Sequence, residues 1–178
     1  ACLDEPETKD LAEGFGTPVI INSKLRDGSL REAARKRNVH TLVFEGGEAL
    51  RFNESVIRTG IKGCQSVMER IGMIKPGEAR PKRKKRETFV AQSSYWIRAP
   101  HSGSFRIHKK IGDQVNSGDL LAVISDPFGS ETFKVESFRR GIIIGLSTLP
   151  LVNRGDAMIH IALFDDSGKV TEALRDFD

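Results

Sequence analysis

In the first half of the chain, apolar positions recur with two different periods. In "NESVIRTGIKGCQSVMERIGM" (53–73), Val56, Ile57, Ile61, Cys64, Val67, Met68 and Ile71 fall three and four residues apart. That spacing predicts a helix, opened by Asn53 as cap and stopped by Gly72. "DEPETKDLAEGF" predicts an earlier helix, with Asp4 as cap and Pro6 in its first turn, and "SLREAARKR" a third, with Ser29 and Glu32 in capping-box spacing. "TPVIIN" reads as a short strand. Val39 to Phe44 carries the β-branched and aromatic residues of a buried strand, and it ends at Glu45, Gly46 and Gly47. Strands alternating with helices predict βα units and a largely parallel sheet. Two strands do not complete such a sheet, so this half is expected to be the later part of a larger α/β domain whose front is missing.

Beyond residue 88 the runs become short and β-rich, and one of them repeats. "GSFRIHKKIGDQVNSGDLLAVI" (103–124) and "GIIIGLSTLPLVNRGDAMIHI" (141–161) share a glycine start, a V-N-x-G-D turn and a closing apolar strand, offset by 37 residues at the turn. Two matched halves predict an all-β domain, closing as a small sandwich or flattened barrel. The expected organisation is 1–75, a basic linker 76–87, and a β-domain 88–178.

Composition narrows the class. The 178 residues are 38% hydrophobic, enough for a core in each part. The formal charge of +4 hides an imbalance, because "RPKRKKR" (80–86) alone holds six positive charges and the remainder sums to −2. A broad nucleic-acid-binding face is therefore not expected, and the run, with no aromatic interleaved, reads as a solvated linker. No stretch approaches ~18 consecutive apolar residues, and "ACLDEPETKD" has neither the basic nor the apolar region of a secretory signal, so membrane and export are not indicated. Cys2 and Cys64 form no C-x-x-C pair, and a reducing cytoplasm is the expected compartment.

"GTPVII…RDGSLREAARKRNVHTLVFEGGEALRFNESVIRTGIKG" resembles the latter part of the catalytic domain of the succinylglutamate desuccinylase and aspartoacylase family. "IRAPHSGSFRIHKKIGDQVNSGDLLAVISDPFG" is similar to the β-domain that follows it in many members, a relative of biotinyl and lipoyl domains. The resemblance implies a zinc-dependent deacylase with a carboxypeptidase-like α/β fold, truncated at its N-terminal side, followed by a barrel-sandwich-like β-domain. It covers about residues 1–75 and 93–164.

The resemblance also implies roles. Glu45 matches the glutamate that serves as general base and acid in amide hydrolysis. Physics is compatible, because ligands in open α/β sheets bind beyond the carboxyl ends of strands, glycines let backbone approach a ligand, and a carboxyl walled by apolar neighbours suits proton transfer. The alternative is a strand-end glutamate that caps the next segment. Arg31 and Arg35, four apart on one helix face, are candidates to grip a substrate carboxylate, Arg31 as the arginine of the S-L-R element. A solvated basic face shared with Lys36 and Arg37 is the other reading.

The departures from the family are equally specific. Its zinc ligands, a His and a Glu three apart and a later His, would all precede Ala1. His40, His101, His108 and His160 form no H-x-x-E here. No metal ligand is therefore expected in this chain, and the chain alone is expected to be inactive. The tip between the repeats, "SDPFGSE" (125–131), lacks the lysine that lipoyl and biotinyl domains modify, and Lys134 falls after it. The expected function is thus the C-terminal portion of a zinc-dependent N-acyl amino acid deacylase. Its expected partner is a small N-acyl amino acid, with neither nucleic acid nor membrane, and the β-domain is expected to be a structural module that shapes the active-site mouth or makes a homo-oligomer contact. A non-enzymatic lipoyl-like binding or structural module is the competing class.

Overall fold

The computed structural model describes residues 1–77, 88–165 and 167–175. The basic run and linker residues 78–87 lie outside the described residues. The chain forms two compact units, residues 1–90 and 91–177.

The first unit holds α1 (Pro6–Phe15), β1 (Val19–Ile21), α2 (Leu30–Arg35), α3 (Glu54–Arg70) and β2 (Phe89–Ala91), whose last residue reaches the second unit. Its caps follow the sequence in two cases of three. The Ser29 hydroxyl accepts from the Glu32 amide at 3.2 Å, while the Glu32 carboxylate accepts from the Gly28 amide at 2.8 Å, a capping box that reaches one residue further back. The Asn53 side chain accepts from the Val56 amide at 3.2 Å. At the far end of α3, the Met73 amide donates to the Met68 carbonyl and the Gly72 amide to the Glu69 carbonyl, the paired bonds of a Schellman stop. Asp4 is not the α1 cap. Glu5 occupies that position without a side-chain cap bond, because its carboxylate is committed elsewhere.

Helices α1 and α3 run antiparallel. Asp10 pairs with Arg70, the Ser66 hydroxyl donates to the Gly14 carbonyl at 2.6 Å, and Phe15 lies on Gly63, so numbers rise along one helix as they fall along the other. A Cβ at Gly63 would sit 2.3 Å from the Phe15 ring, and one at Gly60 would sit 3.2 Å from the Phe44 ring. The two rings touch each other, centroids 5.2 Å apart. Gly63 and Ser66 are the buried residues of α3, whereas Ile57, Ile61 and Ile71 are exposed. The apolar spacing located the helix, but the bare face is the one that packs.

The expected parallel sheet is absent among the described residues. The unit contains one two-stranded sheet, β1 with β2, and Val39–Phe44 joins no sheet. The reason is pairing: an extended segment becomes a strand only beside another, and no described strand runs next to this one.

The second unit contains β3 (Ser93–Arg98), β4 (Gly103–Ile107), β5 (Gln114–Val115), β6 (Leu120–Ser125), β7 (Thr132–Glu136), β8 (Gly141–Leu146), β9 (Leu151–Val152), β10 (Ala157–Leu163) and α4 (Ser167–Arg175). They form two antiparallel four-stranded sheets, ordered β3-β10-β8-β5 and β7-β6-β4-β9, with no closed barrel among the described residues. Each sheet takes a strand pair from one repeat and the short strand of the other: β5 joins β8, and β9 joins β4. Val115, Leu121, Ile124, Ile143, Val152 and Ile159 from both sheets share one core.

The repeated residues have matching causes. A Cβ at Gly103 would meet the Ser125 carbonyl oxygen at 2.3 Å, and one at Gly141 would meet the Ile161 side chain at 2.5 Å, so each repeat opens where its own closing strand crowds it. In the turns, Gly118 and Gly155 take φ of 87° and 95°, and the carboxylates of Asp119 and Asp156 accept from the amides of Asn116 and Asn153 at 2.9 and 2.8 Å.

Two outcomes follow. Gly63→Ala gains about 1 kcal/mol of helix propensity but must displace a ring held between α3 and Phe44, an overpacking cost of about 1–3 kcal/mol, so urea unfolding should show net destabilisation. Gly60→Ala faces a ring 39% exposed and free to shift, and should be neutral or stabilising by up to about 1 kcal/mol. Separately, residues 91–178 expressed alone should unfold cooperatively at their unmodified mass, whereas 1–77 should not, because only the former has a complete core. Cooperative unfolding of 1–77, or a lipoyl or biotinyl mass on 91–178, would contradict this.

Candidate functional site

The segment that carries Glu45 is placed by α3. Phe44 rests on Gly60, a Cβ at Gly46 would meet the Val56 side chain at 2.9 Å, and Gly47 turns the chain with φ 82°. Both glycines of E-G-G therefore have a packing cause: one for close approach to α3, one for a left-handed turn. Glu45 itself is exposed, and so are Val43 and Phe44, at 53% and 39%. The expected buried acid within an apolar wall is not what forms. With no strand beside 39–44 among the described residues, only α3 and Phe15 cover part of the acid's neighbours.

The two arginines are held by internal acceptors. Arg31 donates to the Ser23 carbonyl and hydroxyl at 3.3 Å each and to the Lys24 carbonyl at 3.4 Å, tying α2 to the loop after β1. Arg35 pairs with Glu5 through Nε at 2.7 Å. Both border a small surface pocket together with Cys2, Glu5, Thr8 and Val39, with the Arg35 side chain still 56% exposed. Glu45 does not line it.

Sequence reasoning missed a polar cluster beside this pocket. The buried Thr8 hydroxyl donates to Glu5 Oε2 at 2.9 Å and lies 3.1 Å from His40 Nδ1. Since the single hydroxyl proton goes to the carboxylate, the Thr8 oxygen accepts from His40, which places the imidazole proton on Nδ1. Thr8, first by its hydrogen bond, then Arg35 and His40 hold the Glu5 carboxyl below its ordinary 4.5. No sequence signal joined them, because the cap was read at Asp4 and His40 lies 32 residues beyond Thr8.

The other histidines stay apart. His101 stacks on Phe133 and His160 on Trp96. Lys134 lies within β7, opposite Val123, away from the hairpin tip. Among the described residues, no three His, Cys, Asp or Glu side chains form a group that could hold a metal ion, so these residues do not fit the zinc centre that the resemblance implies.

No protein-family model and no curated protein matches the chain. Solved structures do. A succinylglutamate desuccinylase/aspartoacylase from Rhodobacter sphaeroides is 21% identical with a TM-score of 0.76, covering 90% of this chain and 50% of its own. The product-bound ectoine utilization protein EutE (DoeB) from Ruegeria pomeroyi is 18% identical with a TM-score of 0.79, covering 90% and 50%. An aspartoacylase family protein from Mesorhizobium loti is 19% identical with a TM-score of 0.64, covering 90% and 48%. The chain thus has a mixed α/β fold in common with these proteins and spans about half their length.

The Glu5 cluster makes a pH-dependent contribution. A carboxyl with a lowered folded pKa stabilises the fold above its unfolded pKa, and that stability is lost as pH falls through the folded value. The stability difference between the native chain and Glu5→Gln should therefore be constant above about pH 5 and shrink below about 4.5. A pH series of urea unfolding followed by helical circular dichroism measures it; a difference independent of pH down to 3 would remove Glu5 from this role.

Proposed function

We propose that the chain is the latter part of a deacylase-type hydrolase that cleaves N-acyl amino acids to a carboxylate and an amine. The observation that carries this is the fold likeness over about nine-tenths of the chain, through both units, to proteins named as desuccinylases, aspartoacylases and an ectoine utilization protein. In this reading Glu45 takes a proton from the attacking water and returns it to the departing amine. Arg31 reorients from its long bonds to residues 23 and 24 to meet a substrate carboxylate. Arg35, committed to Glu5, orders the pocket wall. In this reading the zinc of such enzymes would be held by residues other than those described. N-succinylglutamate, N-acetylaspartate and N-acetyl-diaminobutyrate are the candidate substrates, and the second unit, without a lysine at its tip, serves as a structural module.

The test uses the product of the complete reading frame. Glu45→Gln should retain metal while lowering turnover about 10²-fold or more, the scale of a lost proton-transfer group. The 178-residue chain alone should retain well under one zinc after dialysis and hydrolyse none of the three substrates. Near-normal turnover by the variant, or a stoichiometric zinc on the short chain, would return Glu45 to a structural role or show the ligands misplaced.

A further inference from the structure

The Glu5, Thr8 and His40 cluster takes no part in the proposed reaction, yet it touches one end of the segment that carries Glu45. Its bonds run in one direction. Arg35 of α2 holds Glu5 through Oε1 at 2.7 Å, Glu5 Oε2 accepts the proton of the Thr8 hydroxyl at 2.9 Å, and the hydroxyl so oriented faces His40 Nδ1 at 3.1 Å. The other end of the segment is held differently. Phe44 rests on Gly60 of α3 and against Phe15 of α1, ring centroids 5.2 Å apart. Thr8 and Phe15 lie seven residues apart, two turns of α1 and so on one face, about 10 Å along the helix. The four residues from His40 to Phe44 reach about 13 Å at full extension, so they span that distance with little slack. The segment is thus stretched along α1 between two anchors.

The two anchors are not equivalent. An apolar ring contact is non-directional and tolerates sliding, whereas a hydrogen bond needs its donor at one place and one angle. Sliding matters here, because in an extended chain a shift of one residue turns every side chain to the opposite side. The bond at His40 also adds little to stability: the buried Thr8 has already given its proton to Glu5, so loss of the imidazole leaves only one acceptor lone pair unfilled. What the bond fixes is a register, five residues before Glu45. We propose that His40 is a positioning residue for Glu45: its Nδ1 proton, donated to Thr8, sets the register of residues 40–44 along α1 and with it the side on which the Glu45 carboxylate emerges. Arg35 and Glu5 act through the same bond, by orienting the Thr8 hydroxyl. This inference rests on the reading of Glu45 as the base of the hydrolysis.

The first measurement needs no activity. In the 178-residue chain, nitrogen NMR of the imidazoles should find the proton of neutral His40 on Nδ1, and Thr8→Val should return it to Nε2. In the product of the complete reading frame, His40→Leu should lower kcat about 10-fold or more, the scale of a slightly misplaced group, with KM and the urea midpoint little changed. His40→Asn, whose amide N–H takes the place of Nδ1–H, should keep most of the turnover; His40→Gln, with its amide one bond further out, should not. In a Glu45→Gln background, His40→Leu should cost nothing more, because no base is left to position. The proposal is overturned by an Nε2 proton on His40, by wild-type turnover of His40→Leu, or by equal losses in the Asn and Leu variants. An undiminished loss in the Glu45→Gln background, or a loss of turnover matched by a loss of folded protein, overturns it as well. Failure of the underlying reading looks different: Glu45→Gln itself then keeps its turnover, or none of the three substrates is hydrolysed, and His40 loses this role whatever its tautomer.

Discussion

The contact on which the first unit depends is made by atoms that α3 lacks: with hydrogens at Gly60 and Gly63, the helix backbone lies open to two aromatic rings that touch each other. Phe15 brings α1 against the helix, and Phe44 brings the segment that ends in Glu45. A helix normally buries its apolar stripe, because transfer of each large side chain from water is worth about 1.5–3 kcal/mol. Here the rings provide that apolar area and the helix provides room for them. The exposed stripe of Ile57, Ile61 and Cys64 borders that packed face, and both the position of Glu45 and the open apolar surface follow from one choice of face.

The second unit reaches stability by another route. Its two repeats do not pack as finished halves. Each lends its short strand to the sheet built on the other, so neither sheet is complete until both repeats are present. Glycines at 103 and 141 and the aspartate-braced turns are the same solution used twice.

What the sequence made legible were features written in short range. The Ser29 and Asn53 caps, the Gly72 stop and the repeat with its V-N-x-G-D turns depend on residues a few positions apart, and all are found. Apart from the α1 cap, read at Asp4 and found at Glu5, the failures are long range. Val39–Phe44 has the residues of a buried strand, but strand formation needs a neighbour that local pattern does not describe. Periodicity found α3 and misjudged its buried face, since a glycine's value as a seat is visible only with the ring that uses it. The candidate site divides in the same way. E-G-G marked where the chain turns against α3, while the Glu5, Thr8 and His40 cluster joins residues too distant for any motif.

The exposed state of Glu45 connects assembly to chemistry. A carboxyl in open water is a weak general base; exclusion of water is what fits such a group to move protons in a reaction. Phe44 and Gly46 flank Glu45 directly, and Phe44 and Val43 belong to the uncovered surface. For the proposed role of Glu45, its neighbours would therefore have to be covered, and the carboxylate drawn out of water, before the group could serve as a base.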